Sequence, residues 1–357
     1  MNVVEIDGSM GEGGGQILRY SLSLSALTLK PIRIYNIRAK RSNPGLRPQH
    51  LTAVRALATI TNAYVEGDKV GSMEIYFEPR TRRPGSYKFN IGTAGSISLV
   101  LQAILPTLLF SGGFTRIDIT GGTDVSWSPP IDYMRYVFTH NIRFFGVNID
   151  IKLIRRGHYP RGGGRVIIEV EPVHGFLQPI NFVESKGVKT IKGISHAVKL
   201  PSHVAERQAR SASEYIREKL GIKPDIEIET YPPNKDPHLG PGSGIVLYAD
   251  TKAGTRLGGD SLGAKGKPAE KVGREAAEKL ISEIATGMAF DKHMGDMLIP
   301  YMFLARGTSI AGVSNITLHT VTAIEVSRKF MPEAHVKIVG EIGKPGKIIV
   351  EGVGFSP

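Results

Sequence analysis

Cysteine is absent from the 357-residue chain, which excludes disulfides, thiol nucleophiles and cysteine-based zinc sites. Long apolar runs are absent too. The best, Ile97 to Phe110, holds Ser98, Gln102 and Pro106 and falls short of the ~18 residues a membrane span needs. The N-terminus has no basic stretch leading into an apolar one, so the expected location is the cytoplasm and no membrane partner is expected. Two familiar phosphate-binding motifs are also missing. Gly11 and Gly13 begin a dinucleotide fingerprint, but Gln16 stands where its last glycine belongs. Gly266-Lys267 and Gly343-Lys344 each lead into Pro where a P-loop requires Ser or Thr. No two of the ten histidines have the spacing of a helical zinc site.

Glycine and positive charge are plentiful. Lys and Arg number 45 against 33 Asp and Glu, a net charge of +12, which points toward polyanions. Basic residues gather at Arg38, Lys40, Arg41 and Arg47, at Arg80, Arg82 and Arg83, and at Arg155, Arg156, Arg161 and Arg165. Arg80–Arg83 reads as a solvated surface; the Gly and Pro beside the other two clusters suggest shaped sites, where the planar guanidinium suits phosphate oxygens. The densest glycine run, Asp7-Gly8-Ser9-Met10-Gly11-Glu12-Gly13-Gly14-Gly15-Gln16, lies between a short apolar strand and an apolar helix. Glycines ahead of a helix present bare N–H groups and the positive end of the dipole, which favours phosphate. Glu12 adds a carboxylate, and Gln16 and Arg19 fall on one helix face. Together these can hold a metal and a phosphate.

The pattern of elements repeats with a period of about 80 residues, long for a solenoid but suited to a recurring α/β unit. Helices are expected to about Leu27, through Leu51–Ile60, over Ile97–Phe110 and from Pro130 to about Phe145, with strands at 32–37, 63–65, 73–77, 116–120, 147–154 and 166–170. A weaker third copy opens at His293-Met294-Gly295-Asp296, with helices Met297–Leu304 and Ala323–Phe330 and strands 316–318, 336–339 and 348–350. Between the second and third copies, strands at 189–199, 226–230 and 245–249 and helices at 204–220 and 270–284 read as a smaller α/β domain. The expected division is 1–182 plus 287–357 for the large domain and 183–286 for the insert.

His319 draws attention among the histidines. Thr322 and Glu325 have the spacing of a capping box, with Val321 and Val326 at the staple positions. That predicts a helix from about Ala323 and puts His319 at the joint between a strand end and a helix start, where open α/β sheets bind ligands. A helix N-terminus disfavours imidazolium, so His319 is expected to stay neutral and keep a nucleophilic nitrogen. His293, beside Gly295 and Asp296, suits either stacking on a base or capping a helix.

Arg156-Gly157-His158-Tyr159-Pro160-Arg161-Gly162-Gly163-Gly164-Arg165-Val166 resembles the signature of RNA 3′-terminal phosphate cyclases. The same family is matched by Asp7-Gly8 through Arg19, Arg38-Ala39-Lys40-Arg41, Pro44-Gly45-Leu46, Gln49-His50-Leu51-Thr52-Ala53, Thr93-Ala94-Gly95-Ser96, Gly121-Gly122-Thr123-Asp124 and Leu318-His319-Thr320. The resemblance implies a mixed α/β (α+β) fold, a large domain of three βαβαββ-type repeats with a smaller thioredoxin-like α/β domain inserted before the third. It implies ATP as a substrate, a divalent metal (Mg2+ or Mn2+), and RNA with a 3′-terminal phosphate, which becomes a 2′,3′-cyclic phosphate. His319 would become adenylylated. Glu12 would bind the metal, and Gln16, Arg19, Arg38, Arg41 and Gln49 would hold phosphates of ATP or RNA. Gln102, Pro130 and the segment His293, Met294, Gly295, Asp296 and Met297 would frame the adenosine. Some relatives have Tyr at the position of His293, and the family usually has Gln at that of Met297, so base contacts at that end differ here. The oligomeric state stays open, a homo-oligomer included.

Two other readings remain. A non-catalytic cyclase-like RNA-binding factor of ribosome assembly would lack the nucleophile, which His319 and the intact glycine loop oppose. An enolpyruvyl transferase shares a repeat-built fold but needs neither that histidine nor the Arg156–Val166 motif.

Overall fold

The computed structural model describes residues 3–11 and 13–356. Its first unit runs β1 (Val4–Asp7), α1 (Gly15–Thr28), β2 (Ile32–Tyr35), α2 (Pro48–Thr61), β3 (Tyr64–Glu66) and β4 (Ile75–Glu78). The strands lie in the order β1-β2-β4-β3, with β1 and β2 parallel and the other pairs antiparallel. The second unit repeats this plan. It runs β5 (Gly85–Asn90), α3 (Ile97–Leu109), β6 (Thr115–Gly121), a helical stretch, β7 (Ile149–Arg155) and β8 (Gly164–Val170), in the order β5-β6-β8-β7. The helical stretch consists of α4 (Ile131–Tyr133), a π turn (Met134–Phe138), α5 (Thr139–Ile142) and a 3-10 turn (Arg143–Phe145).

The third unit starts with the two-residue β9 (Asn181–Phe182), and the chain then leaves it. The excursion is β10 (Val188–Val198), α6 (His203–Leu220), β11 (Asp225–Thr230), β12 (Gly242–Thr251), β13 (Arg256–Leu262) and α7 (Ala269–Ala285). On its return the chain adds α8 (Lys292–Met297), α9 (Ile299–Leu304), β14 (Arg306–Val313), α10 (Leu318–Phe330), β15 (His335–Val339) and β16 (Gly346–Val353). β9 pairs in parallel with β14, giving β9-β14-β16-β15, the βαβαββ plan for a third time. The insert therefore sits inside the third unit, behind its first strand, rather than ahead of the unit as the resemblance implied. Its entry and exit are joined: Ser185 N–H donates to Gly287 O at 2.8 Å, and Ala289 N–H to Val183 O at 3.1 Å.

Alternation explains the sheets. β6 and β8 bury every second residue, so each sheet has one apolar face to cover. The covering helices α1 and α3 are buried on nearly all sides, as helices inside a large core must be. α1 packs against α2, α3 and α10, so the three units share one core. The insert has its own sheet, β11-β10-β12-β13, with α6 and α7 packed on one another and on that sheet. A second core joins Ile191, Ile245, Leu247, Leu257, Val272 and Leu280. Among the described residues no helix is long and apolar enough to cross a membrane.

Four strands were not expected from sequence, the two-residue β9 among them. β5, β13 and β14 are each interrupted by small or polar residues, as in Arg306-Gly307-Thr308-Ser309, and so imitate loops. The strand expected at 316–318 reduces to one bridge between Ile316 and Ile342.

Candidate active site

The glycine loop is built by backbone needs. Gly11 and Gly13 lie in the left-handed region, with φ of 51° and 58°, which glycine enters without the Cβ penalty. Space demands glycine as well: a Cβ on Gly11 would stand 2.4 Å from Thr322 Oγ1, one on Gly14 3.0 Å from an Arg41 terminal nitrogen, and one on Gly15 2.4 Å from His50 Nε2. The loop is thus wedged between α10, the basic loop 38–47 and α2. It ends at Gly14, the cap residue of α1, which makes no side-chain cap, so the cap residue itself satisfies none of the first turn's N–H groups.

α10 begins at Leu318, five residues before the expected start. Its cap is Thr317, whose Oγ1 accepts from Thr320 N–H at 3.1 Å. The Thr322–Glu325 capping box does not form; Glu325 lies 3.6 Å from Arg328 instead. His319 therefore occupies the first helical turn, is exposed to solvent, and faces α1. Its Nδ1 is 2.6 Å from Gln16 Oε1. The Gln16 amide nitrogen donates to His319 O at 3.0 Å and to Asp296 Oδ2 at 3.2 Å. A backbone carbonyl only accepts, so the amide nitrogen must face His319 O, and the amide oxygen faces the ring and receives the Nδ1 proton. In the neutral ring the lone pair then resides on Nε2.

Asp296 is held in turn by Tyr20, whose hydroxyl lies 2.8 Å from the Asp296 carbonyl and 3.3 Å from Oδ2. Burial pushes the Asp296 carboxyl up to about 7, while the nearby Arg19 guanidinium pulls it back. Arg19 Nε is buried and has no protein partner among the described residues. His50 is also buried, accepts from Arg47 N–H through Nδ1 at 3.2 Å, and is pushed down to about 3 by burial, then by Arg19, Arg38 and Arg47. Arg38 lies below its ordinary value through burial and through Arg47 and Arg41. The result is a crowd of cations around the neutral His50 ring, at the N-terminus of α1: a surface that suits a polyanion.

The expected residues divide into groups. Gln16, Arg19, Asp296 and His319 come together, with Arg41 against the glycine loop. Arg38 bends back to brace its own loop, donating to Asn43 O at 2.5 Å and Gly45 O at 3.0 Å. Gln49 accepts from Ser96 N–H at 2.9 Å and so joins the first unit to the 93–96 loop. Pro130 starts the helical stretch that brings Tyr133 edge-on to His293, with ring centroids 5.9 Å apart. Met294 and Met297 are packed in the core, and Gly295 lies against Thr320 and Val313. Gln102 is half-buried on α3 and has no hydrogen bond to the cluster among the described residues. Glu12 lies outside the described residues.

In the cluster Arg155, Arg156, Arg161 and Arg165, three of the four guanidiniums are committed to protein partners rather than open to phosphate. Arg156 is fully buried, bonded to Asp124, Asp132 and Glu229; Arg165 pairs with Asp118, and Arg155 donates to Gly163 O at 2.8 Å. Tyr20 and Thr322 were missed as contributors. A polar-tipped Tyr beside Arg19 in an otherwise apolar helix was the available signal for the first; the second needed the fold.

Residues 10–338 match the family model described as RNA 3′-terminal phosphate cyclase. Curated relatives carrying that same name include one from Staphylothermus marinus, 72% identical over 357 residues and covering all of both chains. Another, from Desulfurococcus amylolyticus, is 62% identical over the full length of both. A third, from Ignicoccus hospitalis, is 54% identical and covers 98% of this chain and 99% of its own.

Proposed function

The chain belongs to the RNA 3′-terminal phosphate cyclase family, and from that premise we propose that it converts an RNA 3′-phosphate into a 2′,3′-cyclic phosphate at the cost of ATP, with His319 as the covalent carrier of AMP. The observation that carries this reading is the Gln16–His319 pair at the glycine loop, with Nδ1 at 2.6 Å from the amide oxygen. Nε2 attacks the α-phosphorus, the bond to the bridging α–β oxygen breaks, and pyrophosphate leaves. The ring gains positive charge as the P–N bond forms, and Gln16 Oε1 holds the Nδ1 proton throughout. An oxygen of the RNA 3′-phosphate next displaces the imidazole, producing an RNA-adenylate. The neighbouring 2′-OH then attacks the terminal RNA phosphorus, losing its proton, and AMP departs.

Positioning and charge neutralisation do most of the work in nucleotidyl transfer. Arg19, whose buried Nε has no partner among the described residues, and Arg41 fit phosphate oxygens in this reading, and Arg38 and Gln49 shape the loops that would face RNA. A divalent ion would supply further neutralisation of the triphosphate, with Glu12 as its assigned ligand. His293, edge-on to Tyr133, and Pro130 would border the adenosine, with Gln102 contributed by α3. The buried Met294 and Met297 would back that wall rather than hydrogen-bond the base. The separate sheet and core of the insert support a division at 183 and 286, and we assign 183–286 as the smaller domain.

Incubation with α-labelled ATP and metal should leave an acid-labile label on the wild-type protein and none on His319→Ala. A label that survives in His319→Ala defeats the assignment. Unlabelled protein that still binds RNA would instead favour the non-catalytic relative. RNA ending in a 3′-phosphate should become phosphatase-resistant only with ATP present.

A further inference from the structure

A second polar centre is buried where the second repeat unit meets the insert. Asp124 follows β6, His158 lies between β7 and β8, and His196 is on β10 of the insert; they are 2%, 7% and 0% exposed. One potential ligand atom from each lies within 4.8 Å of the others. The two imidazoles meet through their Nε2 atoms, 3.0 Å apart. We infer that Asp124, His158 and His196 form a binding site for a divalent transition-metal ion of the zinc class, made of residues that the glycine-loop site does not use, and that the ion ties the insert to the repeat-built body.

The donor set is the first reason. Two imidazoles and a carboxylate suit zinc and its first-row neighbours and are a poor match for magnesium. Geometry is the second. Two nitrogens held ~2.0–2.1 Å from a tetrahedral zinc are ~3.3 Å apart, so the rings need to separate by only a few tenths of an ångström. The backbone makes room for these rings: a Cβ on Gly242 would stand 2.0 Å from His158 Cγ, and one on Gly244 3.0 Å from His196 Cε1.

Charge is the third reason. Asp124, Asp132 and Glu229 surround Arg156, and Arg135 pairs with Asp132 from its more exposed side. Three carboxylates against two guanidiniums leave one negative charge over, so a further cation is not repelled from the pocket. His238 Nε2 is another buried ring nitrogen with no partner among the described residues. Its Nδ1 lies 2.7 Å from Asp236 Oδ1, the carboxylate–imidazole pairing that orients metal-binding histidines; His238 stands outside the three-residue group, and a water can complete the set. The competing reading is one shared proton between two neutral rings. That would bridge the two domains by a single N–H···N bond, in a chain that has no cysteine to do so covalently.

The test uses the full chain, stripped with a chelator, loaded with Zn2+ and desalted. Elemental analysis should return about one zinc per chain, and Co2+ in its place should give the visible absorption of a tetrahedral nitrogen–oxygen site. Zinc near zero in the wild type overturns the proposal. His196→Gln, if folded by circular dichroism, should bind at least tenfold more weakly, whereas Glu12→Ala should keep its zinc. Full stoichiometry in both His158→Gln and His196→Gln, or loss in Glu12→Ala alone, also overturns it. Should the histidine variants fail to fold, X-ray absorption of the zinc-loaded wild type decides. Imidazole scattering from at least two rings supports the site, and its absence refutes it.

Discussion

At the scale of single residues, Gln16 is the side chain whose two ends do different jobs. Its amide nitrogen is committed to His319 O and Asp296, which forces its oxygen onto the imidazole. Gln16→Leu should leave the fold intact but release the ring's orientation, slowing single-turnover adenylylation by ~10²-fold, the usual cost of a misplaced reacting group. An unchanged rate would mean the amide does not set the tautomer. Asp296 behaves differently because its carboxyl is raised to about 7. It holds a proton more tightly folded than unfolded, so that contribution to stability is complete below about pH 4 and is lost as pH climbs through 7. The full shift is worth ~4 kcal/mol, and solvent reaching the half-buried group reduces this to ~2 kcal/mol. Asp296→Asn should therefore gain on the wild type by ~2 kcal/mol between pH 3 and pH 8 in denaturant midpoints. Parallel stability profiles would show that the carboxyl titrates in its ordinary range.

At the scale of elements, the start of α10 decides what His319 can touch. From the sequence alone, Thr322 and Glu325 placed the cap, and packing overrules them: Thr322 lies against Gly11, and the helix is already running there, capped by Thr317. The same contact gives a test. Gly11→Ala meets both the left-handed φ and the Thr322 hydroxyl, and should cost ~2 kcal/mol of stability. Adding Thr322→Ala should recover the steric share and leave the backbone share of ~1 kcal/mol, measured as a double-mutant cycle. Exact additivity would mean the loop and helix do not touch. The glycine loop, α1, α2 and α3 were legible because Gly clusters and apolar periodicity agree with the final fold. β14 was not, since its Gly, Thr and Ser read as loop until β16 and β9 pair with it on either side.

At the scale of the whole molecule, a basic signature became something other than a phosphate patch. Sequence could not reveal that Arg156 is sealed among Asp124, Asp132 and Glu229, because those partners lie 32, 24 and 73 residues away along the chain. Arg156→Met should destabilise the protein by ~3–5 kcal/mol by stranding buried carboxylates, read from denaturant midpoints of the variant against wild type. A loss under 1 kcal/mol would mean that water reaches the cluster. The repeat plan was legible as a period, but its third copy was blurred by the insert's position behind β9. That position carries a consequence of its own. Residues 183–185 and 287–289 are zipped side by side, so the module leaves and rejoins the body at one place. That stem is not its only hold: Glu229 reaches Arg156, His196 meets His158, and Ile194, Val246 and Tyr248 are packed into the body's core. Excising the module would strip Arg156 of a carboxylate and open that edge of the core, so appendage and body can only change together.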